Sequence, residues 1–257
     1  MTVGELVEVD KGFPTPAGTR AVLRGLDLRV AAGEIVAVVG RSGSGKTTLL
    51  TVVAGWESPD AGKVMLFGDR TPSALVPWGD VAIVPQTLGL LDELTVAENV
   101  GLPLRLRGCA DRRSRGPSGP LRSSKSGKHG PRWPRWRALS AHALGGDATA
   151  AAGPAPDPAV VMDRLGVGDL AGRFPDEVSL GEQQRAALAR AAVVRPRVLL
   201  ADEPIAHQNQ GWALAMMDLL REAAADGTAC LLATHNEVAV SSADRVLELH
   251  EGRLRPV

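Results

Sequence analysis

The sequence predicts an α/β fold with a parallel sheet at its centre. From about Pro158 onward, segments with helical periodicity alternate with short apolar segments, and this alternation is typical of parallel strands joined by helical crossovers. Before residue 90, short apolar segments are separated by Gly, Pro and Asp, which indicates strands and turns. A single helix is expected among them, following a glycine-rich loop and ending at Gly55, since glycine is common at helix C-termini.

The elements follow in chain order. Strands are expected at 5–10, 21–30, 34–39, 63–67 and 81–85, with the helix at 47–55 between the third and the fourth. Beyond Pro158, helices are expected at 159–166, 181–194 and 211–226, and strands at 197–202 and 228–234. The first third of the chain is therefore β-rich, and the second half accounts for the α/β prediction.

Composition and charge limit the function classes. The 257 residues are 44% hydrophobic, and Lys+Arg balances Asp+Glu at 29 each, so the overall charge gives no support to nucleic-acid binding. The two cysteines, Cys109 and Cys230, form no spaced pair, which favours a reducing compartment. No apolar run approaches the roughly 18 residues of a membrane helix, and the first residues are acidic, so we expect neither a membrane span nor a signal peptide.

The segment 109–157 differs from its surroundings. It is rich in Gly, Pro, Ser and Ala and carries nine Lys or Arg against three Asp, a composition that buries too little apolar surface to offset the entropy of ordering. A flexible inserted loop is therefore expected. The stretch RWPRWR at 132–137 leaves a second interpretation open, in which Trp and Arg contact an anionic lipid surface or an acidic face of a partner. Stacking on nucleic acid is the weaker option.

The stretch GRSGSGKT at 40–47 matches the phosphate-binding pattern G-x-x-x-x-G-K-[ST]. It follows an apolar strand and opens a helix, the arrangement in which backbone N–H groups and a helix N-terminus face phosphates. Lys46 is expected to reach the β- and γ-phosphates of a nucleotide, and the Thr47 hydroxyl to ligate Mg²⁺. A dinucleotide-binding loop does not fit, because its last glycine would fall on Thr48; a glycine-rich turn without a ligand is the remaining alternative. The residues expected to contact the nucleotide here, which the resemblance given below implies to be ATP, are Gly40, Arg41, Ser42, Gly43, Ser44, Gly45, Lys46, Thr47 and Thr48.

Two acids, Asp202 and Glu203, end the apolar segment VLLADE. At the carboxyl edge of a parallel sheet, Asp202 would lie beside the metal held by Thr47. Mg²⁺ accepts such a site because it keeps several of its waters. Glu203 is expected on the other side of the strand end, where it would orient and deprotonate an attacking water. The alternative is that both acids cap the following helix.

Two further polar residues follow apolar strands. His235, in ATHN, would emerge at the same sheet edge and donate a hydrogen bond to the γ-phosphate or the attacking water; a purely structural histidine is the alternative. Gln86, in VPQ, would complete the Mg²⁺ or water shell through its amide oxygen. On spacing alone, a ligand role and a purely structural role for Gln86 are equally well supported.

With these motifs in this order, the chain resembles the ATP-binding subunit of ABC transporters. The identifying stretch is VSLGEQQR at 178–185, similar to the family's signature motif, Leu-Ser-Gly-Gly-Gln or -Glu followed by Gln-Gln-Arg. The resemblance covers nearly the whole chain outside 109–157. It implies an α/β P-loop NTPase core with a parallel sheet, an antiparallel β subdomain and an α-helical subdomain. One ABC ATPase domain, 1–257, would comprise a β-rich part with the phosphate loop (1–85), a helical subdomain (86–195) and a part carrying Asp202 and His235 (196–257).

The resemblance also implies a head-to-tail dimer with a second copy of the chain or a homologous ATPase subunit. In that family the signature of one subunit closes on the nucleotide held by the other, so a set of residues is expected to contact ATP across the interface. Phe13 is expected to stack on adenine, with a packing role as the alternative. The residues expected across the interface are Ser179, Gly181, Glu182 and Asn209.

A transmembrane permease is the other implied partner, with a cytoplasmic helix that docks beside Gln86. The chain is therefore expected at the cytoplasmic face of the membrane as a peripheral protein. The stretches 88–104 and 181–191 are most similar to the lipoprotein-releasing, macrolide-export and cell-division types. ATP and Mg²⁺ are the implied ligands, no nucleic acid is expected, and the segment 109–157 offers a second contact with anionic lipid.

Three departures from the family pattern concern the expected dimer interface. Leu180 replaces the first signature glycine, Asn209 replaces a usual aspartate, and His207 and Gln208 replace a small residue and a leucine. Two candidate functions remain: an ATPase that drives a permease, and a regulatory or scaffold ATP-binding module with little turnover. An ABC protein acting on ribosomes or DNA is disfavoured without a tandem copy or coiled-coil arms, and a P-loop kinase would lack the signature.

Overall fold

The structure, a computed structural model, describes residues 1–16, 18–68, 79–114 and 155–257. The strands of these residues are β1 Thr2–Thr15, β2 Gly18–Ala31, β3 Ile35–Val39, β4 Ala61–Leu66, β5 Val81–Val84, β6 Val198–Asp202, β7 Ala229–Ala233, β8 Arg245–His250 and β9 Arg253–Pro256. They form two sheets: a three-stranded antiparallel sheet in the order β2-β1-β4 and a six-stranded sheet in the order β5-β6-β7-β3-β8-β9.

The larger sheet confirms the predicted parallel core. Five of its strands run parallel, and β9 pairs antiparallel with β8 at one edge. The pairings Val84 with Ala201, Asp202 with Ala233, and Val38 with Ala233 align the carboxyl ends of β5, β6, β7 and β3. The loops that follow these four strands therefore emerge side by side, and this edge positions the site.

Helices pack on both faces of the larger sheet. They are α1 Lys46–Val53, α2 Val96–Ser114, α3 Pro158–Arg164, α4 Leu180–Ala192, α5 Gln210–Ala225 and α6 Glu237–Ser242, with 3₁₀ turns at Gly168–Leu170 and Pro175–Glu177. Asp157, Ser179, Asn209 and Asn236 cap α3, α4, α5 and α6 by accepting a backbone N–H, and such caps stabilise a helix by roughly 0.5–2 kcal/mol. α1 differs, because its N-cap is Gly45 and no side chain caps it.

Two apolar clusters enclose the larger sheet. Successive side chains of a strand point to opposite faces, so Leu199 and Ala201 of β6 belong to one cluster and Val198 and Leu200 to the other. The first cluster includes buried residues of α2 to α6, and the second includes α1 and the small sheet. The strand ends that carry the polar residues are therefore supported by a core on both sides.

The fold differs from the sequence-based expectation at two places. α2 runs to Ser114, so residues 109–114, predicted to belong to the inserted loop, are helical; the Ala and Arg residues in this stretch are good helix formers. Residues 115–154, with the stretch at 132–137, lie outside the described residues. The part of α2 before residue 109 and the short elements α6, β8 and β9 had no counterpart among the individually predicted elements, although 86–195 was expected to form a helical subdomain. Within the described part of the chain, no helix is long and apolar enough to cross a membrane.

Candidate active site

The loop between β3 and α1 has the shape that its glycines were expected to permit. Gly40, Gly43 and Gly45 have φ values of 150°, 75° and 108°, a region that L-residues other than glycine adopt at a cost. A Cβ on Gly40 would lie 2.6 Å from the carbonyl oxygen of Leu249, and one on Gly45 would lie 2.7 Å from a methyl of Val22. Both glycines are therefore required by close packing as well as by the backbone conformation.

Lys46 lies within this loop. Its Nζ donates to the carbonyl oxygens of Gly40 at 2.7 Å and Arg41 at 3.2 Å. Ser44 Oγ is the one buried side-chain oxygen of the described residues that has no hydrogen-bond partner. An ammonium group and an orphan hydroxyl beside an uncapped helix N-terminus fit the oxygens of a polyphosphate, which accept hydrogen bonds from all three.

The structure brings Asp202 to Thr47, as predicted. Thr47 Oγ1 donates to Asp202 Oδ2 at 2.6 Å, although the two residues are far apart in the chain. Burial raises the pKa of Asp202; its Thr47 hydrogen bond lowers the pKa, nearby Glu203 raises it, and Lys46 lowers it. A buried carboxylate beside a hydroxyl is an oxygen-donor pair that suits Mg²⁺ completed by phosphate and water.

Glu203 and His235 also meet at this edge. Glu203 Oε1 lies 2.7 Å from His235 Nδ1, and the Glu203 N–H donates to the Ala233 carbonyl at 2.8 Å, which anchors the end of β6 to β7. The Glu203 backbone has a φ of 51°, in the left-handed region that is uncommon for a residue with a side chain. The side chain of Glu203 is 13% exposed and that of His235 74% exposed. A carboxylate and an imidazole thus form a pair that is open to solvent on the histidine side.

Gln86 and Phe13 are placed less tightly. Gln86 is an exposed residue just beyond β5, beside β6 in the sheet. Phe13 lies on β1 opposite Arg20, and the Lys11 Nζ sits 5.2 Å from the centre of its ring. Phe13 is not among the residues that line the cavity next to the phosphate loop. An adenine contact from Phe13 therefore stays a prediction.

That cavity has a volume of about 740 Å³. Its walls come from β2, from the loop at 41–44 and from the turn between β8 and β9. The walls are strongly basic, a feature that the sequence motifs did not predict because its residues come from three distant segments. Basic walls raise the local concentration of an anion such as ATP. The arginines that line it are Arg20, Arg24, Arg41, Arg253 and Arg255.

The signature segment forms the start of α4. The Ser179 hydroxyl donates to Glu182 Oε2 at 2.7 Å, and the Ser179 N–H donates to the same oxygen at 2.7 Å, a capping box. These hydrogen bonds from Ser179 lower the pKa of Glu182. Leu180 is 49% exposed. A Cβ on Gly181 would lie 3.0 Å from the His207 carbonyl oxygen, so the loop after Glu203 packs closely on this segment.

Asn209 has a role within its own chain. Its side chain caps α5 by accepting the Trp212 N–H at 2.9 Å. A contact of Asn209 with a nucleotide across an interface is a separate prediction that this cap neither requires nor prevents. Asn supplies the same capping oxygen as the aspartate it replaces in the family pattern.

Sequence reasoning missed Arg190, which connects the site to α4. Its guanidinium donates to the carbonyl oxygens of Leu88 at 2.7 Å and Gly89 at 2.5 Å, and burial lowers its pKa. Both carbonyls belong to the loop that follows Gln86, where Leu88 and Gly89 have φ values of 61° and 59°. Arg190 therefore holds a left-handed turn of this loop against the helix that begins with the signature segment. The sequence signal that could have identified Arg190 is a charged residue at a helical position with apolar neighbours.

A glycine-rich loop joining a parallel strand to a helix, with Lys46 inside it and Asp202 at the end of another strand of the same sheet, defines the class of P-loop nucleotide-hydrolysing proteins. A family model described as ABC transporter matches residues 23–206. The chain therefore belongs to the ABC transporter family. Membership makes it an ATP-binding subunit whose ATP hydrolysis powers a partner permease.

Similar proteins agree with this placement. A lipoprotein-releasing system ATP-binding protein LolD from Maricaulis maris is 33% identical over 260 residues, with 98% of this chain and 96% of the relative covered. An aliphatic sulfonates import ATP-binding protein SsuB from Rhodopseudomonas palustris is 36% identical over 247 residues, covering 95% of this chain and 71% of the relative. The dimeric structure of MJ0796, a bacterial ABC transporter cassette, matches 98% of this chain and 96% of its own, with a TM-score of 0.73 and 24% identity. This last likeness concerns the fold.

Proposed function

We propose that this chain binds Mg·ATP at the loop 40–47 and hydrolyses it with Glu203 as general base, as one half of a dimer beneath a transmembrane permease. The observation that carries the proposal is the convergence of two pairs at one sheet edge. Thr47 lies 2.6 Å from Asp202, and Glu203 lies 2.7 Å from His235. The first pair suits a metal, and the second suits proton transfer.

The phosphates are bound by the loop and by Lys46. When ATP enters, the Lys46 ammonium exchanges the carbonyls of Gly40 and Arg41 for β- and γ-phosphate oxygens, which are stronger acceptors. Thr47 and Asp202 hold Mg²⁺, with Gln86 as a further oxygen donor. When bound, Mg²⁺ neutralises the charge that develops on the phosphates during transfer.

Glu203 and His235 act on the attacking water. The Glu203 carboxylate accepts a proton from the water as the water attacks the γ-phosphate in line with the leaving oxygen. The 2.7 Å contact with His235 Nδ1 holds the Glu203 side chain in one orientation. Because an ionised carboxylate only accepts, Nδ1 carries the proton of this bond, and Nε2 donates to the γ-phosphate when the imidazole is protonated on both nitrogens. The Glu203 side chain is 13% exposed, so the water that it deprotonates would lie at a site largely shielded from bulk solvent.

A second copy of the chain supplies the signature segment. The N-terminus of α4, with Ser179, Gly181 and Glu182, would face the γ-phosphate bound by the partner chain, and Asn209 would lie along the interface. The Ser179 hydroxyl has one proton, which it donates to Glu182, so contact with phosphate requires that this bond be exchanged. The structures of MJ0796 to which this chain is similar are described as dimeric, which supports the proposal of a dimer.

The permease is proposed to dock beside Gln86 and α2, which places the chain at the cytoplasmic face of a membrane. LolD-type relatives are 31–33% identical to this chain, and a sulfonate importer and an iron importer are 36% and 30% identical. Identity at this level does not separate cargo classes, so the lipoprotein-releasing type is proposed on the resemblance of 88–104 and 181–191. The basic segment 109–157 is proposed as a second contact with anionic lipid. Deletion of 115–154 should then weaken liposome binding at low salt and leave it unaffected at high salt.

Replacement of the proposed base tests the function. A general base contributes about 100- to 10,000-fold to a rate, so Glu203→Gln should lower steady-state ATP hydrolysis by at least about 100-fold and leave Mg·ATP binding intact. Glu237→Gln, an exposed carboxylate close to His235 in sequence, is the matched control and should hydrolyse ATP at the wild-type rate. Unchanged hydrolysis in Glu203→Gln would refute the assignment.

The regulatory or scaffold function is the second candidate, favoured by the departures from the family pattern at Leu180, His207 and Asn209. The two candidates differ in turnover. An ATPase subunit hydrolyses ATP faster when its permease is present, while a scaffold binds Mg·ATP with little hydrolysis in either state. Measuring hydrolysis by the purified chain, alone and with the permease, separates them.

A further inference from the structure

A continuous chain of side-chain hydrogen bonds joins α4 to the loop after β6. Gln184 Nε2 donates to the Glu203 carbonyl at 2.6 Å, and Gln208 Nε2 donates to Gln184 Oε1 at 3.0 Å. Arg185 Nη1 donates to Gln208 Oε1 at 2.9 Å, and its Nε donates to the Leu165 carbonyl at 2.7 Å. The chain thus connects the backbone of the proposed base to the end of α3.

Gln208 also reaches the signature segment directly. The same Nε2 donates to the Gly181 carbonyl at 2.9 Å. Gly181 in turn packs against the backbone of the loop, because a Cβ there would lie 3.0 Å from the His207 carbonyl oxygen. One amide group therefore contacts both the segment expected to face a partner's nucleotide and the residue that holds the Glu203 carbonyl.

The orientation of each amide is fixed by its neighbours. A backbone carbonyl only accepts, so Gln184 must present its NH₂ to Glu203 and its oxygen to Gln208. A guanidinium only donates, so Gln208 must present its oxygen to Arg185 and its NH₂ to Gln184. The two requirements agree, and every polar atom of the Gln208 amide that faces the protein has a complementary partner.

Burial makes these bonds consequential. Gln184 is 2% exposed and Arg185 is 7% exposed, while Trp212 covers the Arg185 guanidinium at 4.4 Å from the ring centre. Removing the Gln208 amide would take the acceptor from Arg185 Nη1 and would leave Gln184 Oε1 with only the longer bond from the His207 N–H at 3.3 Å. Lost hydrogen bonds of this kind are costly in a protein interior. Gln208 stands where the family pattern has leucine, a side chain that offers neither bond.

We propose that Gln208 is a positioning residue, which holds the Glu203 backbone and the Gly181 backbone in one fixed relation. This inference rests on the proposed function. In a head-to-tail dimer, Gly181 of a chain faces one nucleotide and Glu203 of the same chain faces the other. A rigid link between them transmits closure at one site to the proposed base at the second, and the two sites then hydrolyse ATP cooperatively.

Gln208→Leu tests the link with a side chain of similar size. The expected result is a fall in kcat of about tenfold, loss of the sigmoidal dependence of rate on ATP concentration, and an unchanged Kd of the monomer for Mg·ATP. Gln210→Ala, an exposed residue two positions away, is the matched control and should keep both the rate and the sigmoidal curve. Gln208→Met, which retains length without hydrogen bonds, provides the same test if the leucine variant fails to fold.

A structural role alone would lower the melting temperature and leave the shape of the curve unchanged. Wild-type kcat and a wild-type sigmoidal curve in a folded Gln208→Leu or Gln208→Met variant would overturn the proposal. A lower kcat with an unchanged sigmoidal dependence of rate on ATP concentration would also overturn the proposal. Failure of the proposed function is distinguishable, since it would appear as normal hydrolysis by Glu203→Gln. A defective Glu203→Gln beside a normal Gln208→Leu would reject only the link.

Discussion

The N-termini of α1 and α4 are both candidate phosphate sites, but the chain treats them differently. α1 begins after Gly45, with no side-chain cap and no acidic residue in its first turn. α4 begins after Ser179, and a capping box with Glu182 satisfies part of its first turn. The first N–H groups of a helix need acceptors, so those of α1 are left for a ligand, whereas α4 supplies some of its own.

Because of this difference, we expect α1 to determine nucleotide binding and α4 to determine how two chains act together. α1 adds the Lys46 ammonium and lies beside the Asp202 carboxylate, so one chain supplies all of these residues of the proposed phosphate and metal site. α4 adds the negative charge of Glu182 and an exposed Leu180, neither of which attracts phosphate. We expect changes at α1 to abolish nucleotide binding, and changes at α4 to alter dimer closure and hydrolysis after the nucleotide has bound.

The largest effect is expected for Lys46→Ala. Hydrogen bonds to charged groups contribute about 1.5–3 kcal/mol each, so loss of the phosphate contacts should raise the Kd for Mg·ATP at least about 100-fold. A titration with a fluorescent ATP analogue measures this change. Lys63→Ala, which removes an exposed lysine of β4, should bind as the wild type does. An unchanged Kd in Lys46→Ala would contradict the claim that the N-terminus of α1 determines nucleotide binding.

Asp202→Asn should remove Mg²⁺-dependent hydrolysis while stabilising the fold. Burial raises the pKa of Asp202 in the folded chain, so its ionised form costs stability at neutral pH, and this cost disappears as the pH falls through the raised pKa. Asparagine keeps an acceptor for Thr47 and carries no charge. The variant should therefore melt at a higher temperature than the wild type at neutral pH, with the gap closing in acid. A lower melting temperature at neutral pH would contradict this account.

Glu182→Ala should show the opposite pH dependence. Hydrogen bonds from Ser179 lower the pKa of Glu182, so its ionised form stabilises the fold above its ordinary pKa, and the contribution is lost as the pH falls through the lowered pKa. The variant should lose roughly 0.5–1 kcal/mol at neutral pH, as for other helix caps, and approach the wild type in acid. Urea unfolding at several pH values measures both. A constant difference across the pH range would mean that the capping box is not formed.

Leu180→Gly should produce the smallest change in the isolated chain. Its side chain is exposed, so little packing is lost, and binding of Mg·ATP to the monomer should be unaffected. If the side chain obstructs closure of a partner on α4, hydrolysis rises several-fold. Steady-state ATPase assays decide this, and an unchanged rate would mean that Leu180 points away from the interface.

The two helix ends also differ in how far the sequence predicts them. The loop at 40–47 and Asp202, Glu203 and His235 follow apolar strands, and the parallel register brings strand ends together, so sequence position predicts spatial position. The signature segment is a short continuous stretch, so the sequence predicted it equally well. The prediction of its contacts was limited, because the bond from Ser179 to Glu182 depends on helix geometry at the cap.

Other contacts were not visible in the sequence. Gln184 and Gln208 are two amides among many, and only the packing of α4 against the loop after β6 brings them together. The arginine-lined cavity is assembled from β2, the phosphate loop and the β8–β9 turn, and β8 and β9 lacked a recognised pattern. The helical extension of α2 to Ser114 was hidden by a composition rich in charge, which resembles that of a loop.

The most direct test of a site divided between two chains is the association state of Glu203→Gln with nucleotide. This variant should bind Mg·ATP without hydrolysing it, so each signature segment can close on the partner's nucleotide and remain there. Sedimentation with saturating Mg·ATP should show a dimer, and the same protein with Mg·ADP should be a monomer. A monomer in both conditions, with ATP bound, would contradict the account.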